Sequence, residues 1–181
     1  MPEEEAELIR QAQSGNQTAF AQLYDRHHTA VFTYLYYRLP EQAAAEELTA
    51  QVFVRMVEKI NSFYPQDKPL LAWLYTIARH LLADYYRREK KVVQLPLDDN
   101  LQADLDPFKT VTRHLQADCL KKAISQLTDE QKQVIISKFI ENRSNLAIAN
   151  LLGKTEGAVK SLQHRALAAL RRVMEQEGCH E

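Results

Sequence analysis

The stretch SNLAIANLLGKTEGAVKSLQHRALAAL, residues 144–170, constrains the fold of this chain more than any other. Ser144 can N-cap a short helix that carries Leu146, Ala149 and Leu152 inward. Gly153 stands where that helix must end, because glycine takes up the left-handed backbone of a helix C-terminus without steric cost. Thr155 can cap the next helix through its hydroxyl. That helix repeats Val159, Leu162, Ala166 and Leu170 at steps of three and four, which makes an apolar stripe. The pattern predicts a helix–turn–helix. Opposite the stripe stand Lys160, Ser161, His164 and Arg165, near the helix start, where such a helix meets base edges and phosphates. Lys138 and Lys154 are candidate phosphate contacts beside it.

An ordinary helical hairpin with a solvated basic face would show the same spacing, and charge separates the two readings. Residues 131–172 hold eight Lys or Arg against Glu141 and Glu156, a net +6, whereas the whole chain is at −1. Basic charge is concentrated here, as an electrostatic footprint for phosphate requires.

Upstream, helical periodicity continues. Only four glycines and six prolines stand in 181 residues, which leaves little turn material and favours long helices. A first helix is predicted over Glu3–Gln13. Asn16 can cap a second, Thr18–Leu39, with Phe20, Leu23, Tyr24, Val31 and Leu35 inward and Pro40 as its stop. A third, Gln42–Ile60, repeats Leu48, Val52, Met56 and Ile60. The polar, proline-containing stretch 61–69 reads as a loop. A fourth helix, Leu70–Lys91, turns Trp73, Leu74, Ile77, Leu81 and Tyr85 inward. Residues 92–107 break the period with two prolines and four aspartates, and read as a flexible acidic linker. Helix returns over Phe108–Gln126. Thr128 and Gln131 then form a capping box for a helix ending near Glu141-Asn142. The tail after Arg172 is acidic and is expected to fray.

The expected fold is therefore all-α: two small helical domains joined by that linker, the C-terminal one carrying the helix–turn–helix. The boundaries fall at residues 1–92, 93–112 for the linker, 113–176, and 177–181 for a tail. The acidic start MPEEEAELIR is unlike a signal peptide, and no run is long enough to span a bilayer, so a cytoplasmic location without membrane insertion is expected. Cys119 and Cys179 form no CxxC pair and read as reduced thiols. The histidines lack metal-site spacing, and no P-loop, GxGxxG or GxSxG occurs. No metal, no cofactor and no catalytic residues are expected.

Taken in order, the segments AFAQLYDRHHTAVFTYLYYRL, AEELTAQVFVRMVEKINSF, LLAWLYTIARHLLADYYRREKK, LKKAISQLTDEQKQVIISKFIENRS and AIANLLGKTEGAVKSLQHRALAALRR resemble bacterial sigma factors of the extracytoplasmic-function (ECF) type, in the sigma-70 family. The resemblance covers nearly the whole chain. It implies a first domain that binds core RNA polymerase and melts the −10 element of promoter DNA, and a second that reads −35. It implies an anti-sigma factor as a further partner. It also implies that loop 61–69 captures a flipped −10 base, and that the third helix docks on polymerase through its polar side, Glu46, Glu47, Gln51 and Arg55.

Residue chemistry agrees with the melting role. Strand opening needs surfaces that stack unpaired bases and neutralise phosphates. Phe63 and Tyr64 in the loop, with Tyr75, Arg79, His80, Tyr86, Arg87 and Arg88 on the fourth helix, supply both. Trp73 and Tyr85 fall on the apolar stripe and read as core. Some positions depart from the family. Ala50-Gln51 stands where a Gln-Glu pair is common. His80 replaces a frequent asparagine and keeps a hydrogen-bonding ring. Leu162 stands where an arginine is frequent, and an acidic residue is missing around Ala147. A stand-alone helix–turn–helix regulator with an N-terminal dimerisation or sensing domain is the main rival reading, and an all-α enzyme a remote third. A regulator has no need of single-strand chemistry at residues 73–91.

Overall fold

The computed structural model describes residues 3–65, 68–92 and 110–177, and among these there are helices and turns but no strand. The helices are α1 (Glu3–Gln13), α2 (Gln17–Tyr36), α3 (Gln42–Lys59), α4 (Leu70–Val92), α5 (Thr110–Ser125), α6 (Asp129–Ile135), α7 (Asn145–Leu152) and α8 (Glu156–Gln176). A 3₁₀ turn, Ile60–Ser62, continues α3, and a wide π-type turn, Ile136–Ile140, continues α6.

Local chemistry sets most of these boundaries. Gly15 takes φ +88° after α1, and the Asn16 side-chain oxygen accepts from the backbone N–H of Thr18 at 2.9 Å and of Ala19 at 3.3 Å. The α2 helix ends at Tyr36, earlier than Pro40 alone demands, because the N–H groups of Tyr37 and Arg38 turn back to the carbonyls of Thr33 and Leu35. Thr128 and Gln131 form the expected capping box of α6. The helix after it runs on toward Glu141 as predicted but widens. The Glu141 N–H reaches the Ile136 carbonyl at 2.9 Å, and Asn142 then takes φ +53°, a left-handed conformation that asparagine tolerates.

In the first domain α2 packs against α1, α3 and α4. Ile9, Leu23, Leu35, Val52, Met56, Leu70 and Leu74 are sealed between them. Polar pairs fasten α1: His27 Nε2 lies 2.6 Å from Glu5 Oε1 in a half-buried site, and Arg26 pairs with Glu4. The hydrogen bond from His27 is the main cause that holds the Glu5 carboxyl below its usual range, against an upward push from burial. The second domain has a smaller core of Ile124, Val134, Ile136, Ile148, Val159, Leu162 and Ala166.

Some expectations are corrected. Tyr24 is exposed, with its ring against His28 and Phe53, and Leu146 is exposed while its neighbour Ile148 takes the core position. Most of the expected linker lies outside the described residues, and its last residues, 110–112, already belong to α5. The α8 helix does not fray after Arg172. Glu177 beyond its end accepts from Gln126 Nε2 at 2.6 Å and pairs with Lys122. Residues 178–181 are outside the described set. Cys119 is disulfide-bonded and not the reduced thiol expected.

Candidate functional site

The helix–turn–helix is assembled by short-range contacts. Ser144 Oγ accepts from the Ala147 N–H at 3.1 Å, and Thr155 Oγ1 from the Ala158 N–H at 3.2 Å. Each cap satisfies one of the donors that a helix start leaves unpaired, for about 1 kcal/mol. Gly153 between them adopts φ 62°, ψ 37°. Gln163 Nε2 donates to Asn145 Oδ1 at 2.8 Å and ties α8 to α7.

With Val159, Leu162 and Ala166 buried, α8 must turn Lys160, Ser161, His164 and Arg165 outward, and all four are exposed. Gly157, one turn earlier on this face, was not singled out by sequence. A Cβ placed there would meet nothing within 4 Å, so packing within the chain does not demand glycine. Leu162 is buried and therefore does not stand on the exposed face of α8, which removes the significance of an arginine missing there. The flanking lysines are engaged: Lys154 Nζ lies 2.9 Å from Glu130 Oε1, and Lys138 Nζ donates to the Arg143 carbonyl at 3.4 Å.

In the first domain the predicted aromatic loop divides. Phe63 is 2% exposed and packs on Trp73 with ring centroids 5.1 Å apart, so it is a core residue and not an open stacking platform. Tyr64 beside it is 65% exposed. Gln13 Nε2 fixes the turn between them, donating to the carbonyls of Ile60 at 3.0 Å and Phe63 at 2.8 Å. On α4, Arg79, His80, Arg87 and Arg88 are exposed, and Arg87 pairs with Asp84 at 3.1 Å. Tyr86 is 43% exposed and its hydroxyl donates to the Arg38 carbonyl.

Tyr75 does not fit an open face. It is buried, stacks on Tyr34 at 4.5 Å between centroids, and donates its hydroxyl to Glu141 Oε1 of the second domain at 3.3 Å. Burial, reinforced by the Glu141 carboxylate, pushes its hydroxyl pKa far above the ordinary value. Sequence periodicity put Tyr75 off the first domain's stripe. It could not register that another domain covers it.

On α3, Glu46, Glu47 and Arg55 are exposed and Gln51 is half-buried, its Nε2 donating to Glu47 Oε1 at 3.0 Å. Val54 and Val57, which sequence reading passed over, add exposed apolar surface to the same helix. Their signal was present: both lie outside the Leu48–Ile60 repeat. Among the described residues no group of three His, Cys, Asp or Glu is placed to hold a metal ion. No described helix is long and apolar enough to cross a membrane.

Comparison with known proteins gives a consistent picture. Two family models match the chain, Sigma-70 region 2 over residues 23–92 and Sigma-70, region 4 over residues 123–172. The ECF RNA polymerase sigma factor BldN of Streptomyces coelicolor is 34% identical over 171 residues, which cover 93% of this chain and 65% of BldN, so the chain spans a little under two thirds of that relative's length. The ECF RNA polymerase sigma factor SigX of Bacillus subtilis is 30% identical, with 86% of this chain and 84% of SigX covered. Among solved structures, CnrH in complex with the cytosolic domain of CnrY is similar at 26% identity and a TM-score of 0.65, with 93% of this chain and 96% of that one covered.

Proposed function

This chain belongs to the extracytoplasmic-function sigma factors of the sigma-70 family, and on that premise we propose how it divides the work of promoter recognition between its two domains. It binds core RNA polymerase and directs it to promoter DNA, reading −35 as duplex and −10 as melted strand. The observation that carries this is that the region 2 and region 4 matches fall in order on two helical units, each with its own basic face. A stand-alone regulator is not favoured, since region 2 is matched throughout α3 and α4.

In the proposed arrangement Lys160, Ser161, His164 and Arg165 of α8 read the −35 major groove, and Lys138 and Lys154 hold phosphates after leaving their protein partners. Tyr64, Arg79, His80, Tyr86, Arg87 and Arg88 bind the displaced −10 strand, Tyr64 being the ring most open to an unstacked base. Phe63 supports the loop from beneath. Glu46, Glu47, Gln51 and Arg55 meet polymerase, with Val54 and Val57 burying apolar area there. The protein has no reaction of its own, works in the cytoplasm, and uses one unit within residues 1–92 and a second over residues 110–177, α5 and Glu177 included. CnrH, solved with the cytosolic domain of CnrY, supports a protein partner for the free chain. We take that partner to be an anti-sigma factor.

Run-off transcription with core polymerase on a library of random promoters tests this reading. Initiation at a shared −35/−10 pair only when the chain is added is the expected result. Duplex binding with no effect on initiation would refute it.

A further inference from the structure

A cleft of about 460 Å³ lies where the two domains meet, within the size range of sites that take small molecules. Its first wall is one face of α4, with Ala72, Thr76 and Arg79, preceded by Lys68 and Pro69. Its second wall is the end of α7 and the turn after it, from Asn150 to Lys154, with Asp129 and Glu130 of α6 beside them. Arg38 lines the cleft and touches both domains. Its side chain is 5% exposed, Nη1 donates to the Tyr34 carbonyl at 2.9 Å, and the guanidinium stands 3.8 Å from the Tyr34 ring centroid. Nη2 reaches the Asp129 carbonyl at 3.3 Å and Gln133 Oε1 at 3.4 Å, both long for hydrogen bonds. Nε makes none among the described residues.

Charge in the cleft is unbalanced. Four cations, Arg38, Lys68, Arg79 and Lys154, line it against two carboxylates. Both carboxylates are already engaged: Glu130 Oε1 lies 2.9 Å from Lys154 Nζ, and Asp129 Oδ1 lies 3.6 Å from Arg38 Nε. Lys68 and Arg79 are exposed and have no ion-pair partner among the described residues. The Asp129 side chain is itself 75% exposed, so water screens its hold on Arg38. A buried guanidinium is thus left half-paired, and burial pulls its pKa down. Such a charge is costly unless an anion stands against it. Beside the cations, Pro69, Ala72, Leu151 and Leu152 are half-buried and offer apolar surface from both walls.

The geometry points to a binding site for a small molecule that carries a diphosphate on a planar group, the chemistry of a nucleoside diphosphate. Its diphosphate lies across the cleft, between Lys68 and Arg79 on one side and Asn150 and Lys154 on the other, with Arg38 beneath. Because cations stand on both walls, an anion with two charged groups matches them better than a single phosphate. A guanidinium fork and ammonium groups are the side chains that suit phosphate oxygens. The apolar side chains take the planar group. Arg79 and Lys154 are also proposed contacts to promoter DNA, so the ligand and DNA exclude one another there. The site itself does not depend on the sigma-factor reading.

Isothermal titration calorimetry of the full chain with ADP, pyrophosphate and adenosine tests the site, at about 0.15 M salt to screen loose attraction. ADP is expected to bind one to one with a dissociation constant below about 1 mM, pyrophosphate more weakly, and adenosine not measurably. Lys68→Glu on one wall and Asn150→Asp on the other each add negative charge at an exposed position. Each should weaken ADP binding about tenfold or more, with circular dichroism as the check on folding. Hydrogen exchange needs no substitution: ADP should slow exchange at residues 72–79 and at 150–154 of the parent. Absence of saturable ADP binding overturns the site, as does adenosine binding as tightly as ADP. Pyrophosphate binding as tightly as ADP overturns the part given to the planar group. Weakening in only one variant, or protection on one wall only, places the anion on a single domain, where a DNA backbone phosphate would also sit, and overturns the cleft. Weakening in neither variant puts ADP elsewhere on the chain and overturns it as well.

Discussion

The proposed recognition face of the second domain and the proposed strand-binding face of the first differ in what builds them. The α7–α8 unit is set by neighbours in sequence: two hydroxyl caps, one left-handed glycine and a three-four repeat that leaves Lys160, Ser161, His164 and Arg165 no direction but outward. The α4 face is set by parts distant in sequence. Gln13 shapes its loop from α1, Trp73 takes Phe63 into the core, and Glu141 of the other domain engages Tyr75. On the proposed roles, duplex reading rests on a small unit with a thin core, whereas strand capture depends on the packing of a larger one.

The largest expected effects fall on the supports. Phe63→Ala empties a sealed site and should destabilise the first domain by about 3–5 kcal/mol, whereas Tyr64→Ala, on an exposed ring, should leave stability within about 0.5 kcal/mol and remove stacking worth about 1–3 kcal/mol per base. Urea unfolding and oligonucleotide binding separate the two. Equal destabilisation by both would break the division of the loop into support and platform. In the second domain Ile148→Ala should cost about 2–5 kcal/mol. Because that core is the smaller, the same loss should melt α7–α8 first, seen as earlier hydrogen exchange there than in α2–α4.

Smaller effects sharpen the contrast at the level of contact. Arg165→Ala should weaken promoter duplex by about 1–3 kcal/mol and relax preference at one base position, while Lys138→Ala should weaken all sequences alike and lower the salt slope by about one unit. Gly157→Ala should stabilise α8 by about 0.5–1 kcal/mol, since glycine is costly inside a helix and no neighbour obstructs a Cβ. If that face meets DNA closely, the same change should weaken duplex binding. A more stable variant with unchanged affinity would place Gly157 outside the interface.

Acid probes the first domain through Glu5. Glu5 is held below its usual pKa chiefly by the hydrogen bond from His27, so it contributes stability above the ordinary carboxylate range. That contribution is lost as pH falls through the ordinary range to its lowered value. Glu5→Gln should flatten this part of the acid-unfolding curve and leave the second domain's transition in place.

What the sequence could disclose follows the same contrast. Caps at Asn16, Thr128, Ser144 and Thr155 and the turn at Gly153 are written in adjacent residues, and each forms as read. Phe63 and Tyr75 were misjudged as open because their covers, Trp73 and the second domain, come from further along the chain. Leu146 failed for a subtler reason: in so short a helix the apolar positions outnumber the inward ones, and Ile148 and Ala149 took the core. The widened turn at Ile136–Ile140 had a faint signal in Gln133 and Ser137, polar residues within an apolar run, which bond to each other at 3.1 Å in the interior. Arg38 had none.

The division of labour itself is tested most directly by permanganate footprinting of promoter thymines with core polymerase, comparing Tyr64→Ala and Arg165→Ala. The account predicts that Tyr64→Ala keeps −35 protection but loses thymine reactivity at −10. Arg165→Ala should weaken −35 protection and relax −35 preference yet open whatever promoter it is loaded on. Loss of the same step in both variants would contradict it.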